Sequence, residues 1–334
     1  MSTAPTHFPA FKEGLPSMAG KTVVITGTTS GTGNVAARTM ADLGAKVVVL
    51  NRASERATAS FAELTAMYPN ADLHSVECDL QSFASVREGA ARVHELCPDG
   101  VHVLCNNAGV MALGDTATTD GFDIQMQTNH LSHFLLTSEL MALLDKAAES
   151  NGEARIVNHS SVARMAPGKT LLGEYLEKKG GSLGGDGSGM QNALFRGPRW
   201  VRYNQSKLAN AAFIAALHHR LQEKGSKVKA LVAHPGLANT HLQTTSVKEG
   251  GMGSFFTGIL MRFSQAPEDG AMGLISCASL PDAQSGQFYG PGSGTAAFRG
   301  KAEPFDLEPF YDNAETRDLL WSKSEEAIGA TFEL

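Results

Sequence analysis

Short runs of apolar and β-branched residues alternate along this chain with longer segments whose apolar positions recur every three or four residues. KTVVIT (21–26) reads as a buried strand. A glycine turn follows, then VAARTMADLG with helical spacing, and Gly44 stands where a helix ends. KVVVLN (46–51) is a second strand, and Ser54 to Tyr68 a helix with Pro69 and Asn70 as its stop signal. LHSVECDL, VHVLCNNAG, ARIVNHSS and KVKALVAHPG add four more strands, each separated from the next by a helix-length segment. This alternation predicts an α/β fold, a parallel sheet covered by helices on both faces. Right-handed crossovers make it doubly wound, with ligands at the carboxyl ends of the strands. Residues 1–20 read as an N-terminal extension and 21–334 as a single domain with one insertion, 167–199, whose GGSLGGDGSG (180–189) breaks the rhythm.

Composition narrows the function classes. The chain has 334 residues, 42% of them hydrophobic and 19% charged, as expected of a globular protein. A formal net charge of −6 gives no basic footprint for nucleic acid. Cys78, Cys97, Cys105 and Cys277 form no CxxC pair and no disulfide-dense pattern, so they are expected as buried apolar residues in a reducing, cytoplasmic setting. The first twenty residues lack the apolar core of a signal peptide. No stretch reaches the ~18 apolar residues of a spanning helix.

Two motifs carry chemistry. TGTTSGTG follows the first strand and opens the first helix, with Gly27, Gly31 and Gly33 spaced GxxxGxG. Glycines there permit a tight turn and close approach of backbone to a pyrophosphate, whose charge meets the helix N-terminus. Gly27, Thr29, Ser30, Gly31, Thr32 and Gly33 are therefore candidate cofactor contacts. At the end of the second strand, the acid that would hold the ribose hydroxyls of NAD is missing and Arg52 is present. A guanidinium bonds phosphate in bidentate fashion, which points to NADP(H), although Glu55 stands nearby. The second motif is YNQSK. Tyr203 and Lys207, at i and i+4, share a helix face, and a neighbouring cation would lower the phenol pKa towards a working acid/base.

These pieces together resemble the short-chain dehydrogenase/reductase family: TGTTSGTG, Asp79 in CDL, Asn106-Asn107-Ala108-Gly109, Asn129 in QTNHLSHFLLT, Ser161 in IVNHSS, YNQSK and HPGLANT, in family order over most of 21–240. NHLSHFLLT, SKLAN, HPG and SGQFYGP most resemble its retinol-dehydrogenase-like and protochlorophyllide-reductase-like branch. The resemblance implies a Rossmann-type sheet and a catalytic tetrad of Asn129, Ser161, Tyr203 and Lys207. In that scheme Tyr203 exchanges a proton with the substrate oxygen and Ser161, chosen over Ser160, hydrogen-bonds the same oxygen. Lys207 lowers the Tyr203 pKa and holds the nicotinamide ribose, and Asn129 anchors a water that relays protons to Lys207. It also implies that Asp79 and Leu80 meet the adenine, that Asn106, Asn107, Ala108 and Gly109 line the adenosine and ribose, and that Pro235, Gly236 and Thr240 grip the carboxamide. The expected partner is a small, fairly apolar carbonyl or alcohol; homo-oligomerisation stays open.

The chain departs from the family where Ser161 and Tyr203 stand 42 positions apart, far more than one short loop. The insertion between them is expected at the mouth of the site as a lid with glycine hinges. Arg196 and Arg199 are candidates for a polar substrate group, with surface solvation as the alternative. Ala209 replaces the cysteine that protochlorophyllide reductases carry in SKLAN, which argues against light-driven chemistry. His130 and His133, at i and i+3, lack a third metal ligand. Phe255, Phe256 and Met261 fit a substrate pocket or core packing equally. The alternative to an enzyme is a sensor that kept the cofactor and lost catalysis, for which an intact Tyr203–Lys207 pair serves no purpose.

Overall fold

The computed structural model describes residues 4–166, 168–193, 195–238, 264–292 and 298–334. Eight strands form one sheet: β1 (Thr22–Thr26), β2 (Lys46–Asn51), β3 (Leu73–Glu77), β4 (Val103–Asn106), β5 (Ala154–His159), β6 (Val228–Ala233), β7 (Gln287–Pro291) and β8 (Ala302–Asp306). Their order is β3-β2-β1-β4-β5-β6-β7-β8, parallel throughout except for the antiparallel β7–β8 pair. Between β1 and β4 the winding reverses, and the crevice at the carboxyl ends of those strands is where such sheets bind ligands.

Side chains two apart on a strand share a face, and here each face closes its own core. Val24, Val48, Leu104 and Ile156 face α4 (Phe83–Leu96), α6 (Ser132–Asn151), α8 (Pro198–Glu223) and α10 (Ala314–Ile328). Val23, Ile25, Val47, Val49 and Val157 face α2 (Gly31–Asp42) and α9 (Pro267–Ser279). Between them run α3 (Glu55–Met67), the single turn α5 (Ile124–Met126) and the short α7 (Gly189–Ala193). The side chains of Ser54 and Ser82 cap α3 and α4.

The six strands expected from the β-branched runs are present. β7 and β8 are additional: β7 is short and ends in Pro291, and the half-exposed β8, interrupted by Pro304, is the sheet edge. They are joined there by the stacked, directly paired rings of Phe288 and Phe305, 4.7 Å apart. The N-terminal extension is built into the fold. Asp269 accepts the backbone N–H groups of Thr6, His7 and Phe8 at the start of α1 (Phe8–Glu13), and Phe8 and Phe11 pack on the second core. All four cysteines are buried and unpaired.

Candidate active site

A cleft of about 990 Å³ opens at the carboxyl ends of the strands, large enough for a dinucleotide and a second small molecule. One end is the glycine turn. Gly27 has φ +71°, and a Cβ there would lie 2.7 Å from Ala108 Cα, so only glycine fits. Thr29, Ser30, Gly31 and Thr32 continue the wall at the N-terminus of α2, followed by Arg52, Asp79, Leu80, Asn107, Ala108 and Gly109. Gly33 does not reach the cleft: a Cβ there would overlap Asn107 Nδ2 and Gly27 O, so it lets α2 pack against the strand ends. Asn106 is also a correction. The alternation of β4 turns it inward, where Nδ2 donates to Thr137 Oγ1 and Asn158 Oδ1.

At the other end Tyr203 and Lys207 project from α8. Ser161, just beyond β5, lines the same space beside the Tyr203 phenol. The neighbouring Ser160 donates to the Lys207 carbonyl at 2.7 Å, so of the two serines Ser161 is the one on the phenol. Lys207 Nζ donates to the His159 carbonyl at 3.0 Å. Asn129 lies just behind the wall: a Cβ on Gly109 would come 3.1 Å from its Oδ1 and 3.2 Å from Lys207 Nζ. Its amide donates to Val110 O and Ser206 Oγ and accepts from Val110 N–H, so the side chain ties a loop to α8. It offers no free amide hydrogen to the expected water.

The expected depression of the Tyr203 pKa is absent in the free chain. Burial pushes the phenol up to about 12, opposed only by the Ser161 hydroxyl, and pushes Lys207 down to about 8. Desolvation disfavours both charged forms and outweighs their mutual field.

Two histidines organise the floor. Asn107 Nδ2 donates to Thr26 O and Gly27 O, so its Oδ1 is the acceptor for Thr32 Oγ1 and for His159 Nδ1 at 2.8 Å. His159 is thereby fixed as the Nδ1–H tautomer, and its buried Nε2 lone pair has no partner among the described residues. His133 is read the same way. Its Nδ1 donates to the Asn129 carbonyl and its Nε2 accepts from Thr26 Oγ1, which in turn accepts the N–H groups of Asn107 and Ala108. Asn129 sits in a widened π-helical turn, Gln127–Leu131, between α5 and α6. His130 hydrogen-bonds Ser324.

Several wall residues carry no sequence signal of their own: Asn51, whose amide pins the Thr28 backbone and hydroxyl, His159, and the apolar Met111, Met165, Phe195 and Trp200. Arg56, at the start of α3 and four residues beyond Arg52, lines the cleft as well, whereas Glu55 does not. Arg196 lines it too; Arg199 is buried against Asp186 at 2.8 Å. Pro235 and Gly236 line the far wall. Thr240, Phe255, Phe256 and Met261 lie outside the described residues. The glycine cradle and a preponderance of cationic side chains fit an anionic dinucleotide.

A family model described as short chain dehydrogenase matches residues 21–175. The chain is 36% identical to the chloroplastic short-chain dehydrogenase TIC 32 A of Brassica napus over 66% of its own length and 65% of that protein's, just under two thirds. It is 31% identical to the short-chain dehydrogenase/reductase drtF of Aspergillus calidoustus, covering 96% and 97% of the two chains. It is 30% identical to mouse retinol dehydrogenase 12 over 94% and 88%. A crystal structure of a Mycobacterium Paratuberculosis protein superposes with a TM-score of 0.71 at 33% identity, over 97% of this chain and 98% of that one. The chain therefore belongs to the short-chain dehydrogenase/reductase family, in its retinol-dehydrogenase-like branch.

Proposed function

We propose that the protein is an NADP(H)-dependent carbonyl reductase or alcohol dehydrogenase acting on a small, largely apolar molecule. The observation that carries this reading is the Tyr203 phenol, beside Ser161 and one helical turn from Lys207, at the apolar end of a cleft whose other end is the glycine turn. A bound nicotinamide supplies the hydride donor or acceptor. The chain's own part is proton handling and orientation. Tyr203 holds its proton up to about pH 12 and gives it to the substrate oxygen during reduction, while Ser161 orients that oxygen. Below about pH 8 Lys207 carries the charge that stabilises the phenolate left behind. Thr29 to Thr32 hold the pyrophosphate, and Asp79 and Leu80 face the adenine. A carbonyl panel followed by NADPH absorbance, with Tyr203→Phe as control, tests the reading. Loss of NADPH only with carbonyl present, and only with Tyr203 intact, supports it.

The choice of NADP(H) rests on Arg52 and Arg56, which line the cleft just beyond the end of β2. Among the described residues Asp79 is the one acid of that wall, against Arg52, Arg56, Arg196 and Lys207. Each charge-assisted bond to a 2′-phosphate contributes about 1.5 kcal/mol at so exposed a rim. Arg52→Ala and Arg56→Ala are each expected to weaken NADPH about tenfold in a fluorescence titration and to leave NADH unchanged. Equal losses for both nucleotides would reject the assignment.

The Lys207 charge predicts a pH profile. Its pKa is lowered to about 8, so the cation is present below that value and lost above it. For reduction, kcat/KM should fall as pH rises through about 8 in the free enzyme. Lys207→Arg, charged at every accessible pH, should remove that limb whatever it does to the plateau.

A further inference from the structure

The inserted segment at the cleft mouth is held by a buried ionic clasp. Asp115 accepts the backbone N–H groups of Gly181, Leu183 and Gly185 at 2.9, 2.8 and 2.8 Å. Arg202, fully buried, donates to the carbonyls of Leu183, Gly185 and Leu113, and its Nε lies 3.1 Å from Asp123 Oδ2. Asp123 caps α5 through the N–H groups of Gln125 and Met126. Asp186 accepts the Asp115 N–H at 2.7 Å and pairs with Arg199. A hinge needs backbone groups that can change partners at low cost; here the glycine turn has its N–H and C=O groups committed to one carboxylate and one guanidinium. The expectation of a glycine-hinged lid is corrected on that ground.

What the clasp seats is aromatic. Phe195 meets Trp200 edge-on at 4.7 Å, and Trp200 meets Tyr203 edge-on at 5.8 Å. All three line the cleft together with Met111, which packs against Trp200 and Tyr203, and Met165. Phe195 (φ 58°) and Ala112 (φ 51°) are two of three non-glycine residues with positive φ among those described. Backbone of that kind persists only where its surroundings over-determine it, and such positions concentrate at ligand sites. The one charged side chain of the wall drawn from this segment is Arg196, which disfavours a cationic ligand.

We propose that residues 195–200, anchored by 180–187, form a fixed wall of the substrate site, that Arg202 is its positioning residue, and that the Phe195–Trp200 pair selects flat, aromatic or conjugated carbonyl compounds over open-chain ones. This rests on the carbonyl-reducing reading of the site. Acetophenone and 2-octanone, ketones of equal carbon number, are the probes. Their binding to the NADP⁺-loaded full chain is followed by fluorescence in a Trp321→Phe background, which leaves Trp200 as the only tryptophan. Phe195→Ala, at a residue 36% exposed and so safe for folding, is expected to weaken acetophenone roughly fivefold more than 2-octanone. Arg202→Met should abolish the discrimination and raise KM more than it lowers kcat, with NADPH binding retained. Arg202→Lys, able to serve only part of the set of carbonyls, should restore little. Identical responses of the two ketones to Phe195→Ala, no acetophenone binding at all, or full discrimination in a folded Arg202→Met protein would each overturn the proposal. If discrimination in binding holds while neither ketone is reduced by the wild type, the wall stands and the reading of the reaction fails.

Discussion

Tyr203→Phe is expected to lower kcat for carbonyl reduction by about 10²- to 10⁴-fold, the range for removal of a positioned general acid. NADPH binding should stay within a factor of two or three. The phenol is buried beside Ser161 and holds its proton to about pH 12, so at neutral pH the proton is there to give. Phenylalanine keeps the ring and its edge contact with Trp200 and removes only the O–H. Ser161→Ala is expected to cost less, since it orients an oxygen that Tyr203 still protonates. Parallel stopped-flow and nucleotide-binding measurements separate the two variants. A Tyr203→Phe protein with near-wild-type kcat would remove the proton donor from the mechanism.

Acid should unfold the chain well before its carboxylates titrate. His130, His133 and His159 are buried, and burial pushes them down to about 3, 4 and 3. In the unfolded chain each titrates near ~6.5. Between those values the unfolded state binds more protons than the native one, so stability rises with pH and is lost as pH falls below about 6.5. Each histidine contributes up to about 1.4 kcal/mol per pH unit. The three together then remove roughly 5 kcal/mol between pH 6.5 and 5, a large share of the ~5–15 kcal/mol typical of a folded protein. Asp123 acts in the opposite sense. Burial raises it to about 6, so its protonation favours the native state as pH falls and offsets part of the loss. Urea titrations at pH 7.5, 6 and 5 measure the slope. His130→Gln, whose amide reaches the position of Nε2 beside Ser324, should make the slope shallower, the remainder coming from the other buried histidines, His234 among them. A stability flat from pH 7.5 to 5 would show that these rings are not held neutral.

The sheet was legible where the sequence is locally redundant. KTVVIT and KVVVLN are buried on both faces and read as strands without help from the rest of the chain. QFYGP is buried too, but neither it nor the half-exposed AEPFD has a β-branched run; what makes them strands is the cross-strand stack of Phe288 on Phe305, and pairing of that kind has no local mark. The same divide runs through the site. Glycines after a strand and Tyr203 four residues before Lys207 advertise themselves by spacing. Arg56 does not, since Arg52 precedes α3 and no helical spacing links the two. Asn106 and Asn107 could not be told apart in role until the pleat of β4 sent one inward and the other under the glycine turn. The His159 tautomer depends on three bonds made by Asn107, and the Arg202 clasp joins segments far apart in the chain. The Tyr203 pKa went the other way from expectation because spacing reports proximity and says nothing of desolvation, the stronger effect in a closed cleft.

The central claim is that the cleft brings Tyr203, Ser161 and Lys207 to bear on a carbonyl beside a bound nicotinamide. Incubating the protein with acetophenone and NADPH carrying deuterium at the transferable nicotinamide C4 position tests it most directly. The account predicts 1-phenylethanol with deuterium on the carbinol carbon from the wild type, in one enantiomer, and none above background from Tyr203→Phe. An alcohol formed equally by both proteins, or formed without the label, would contradict it.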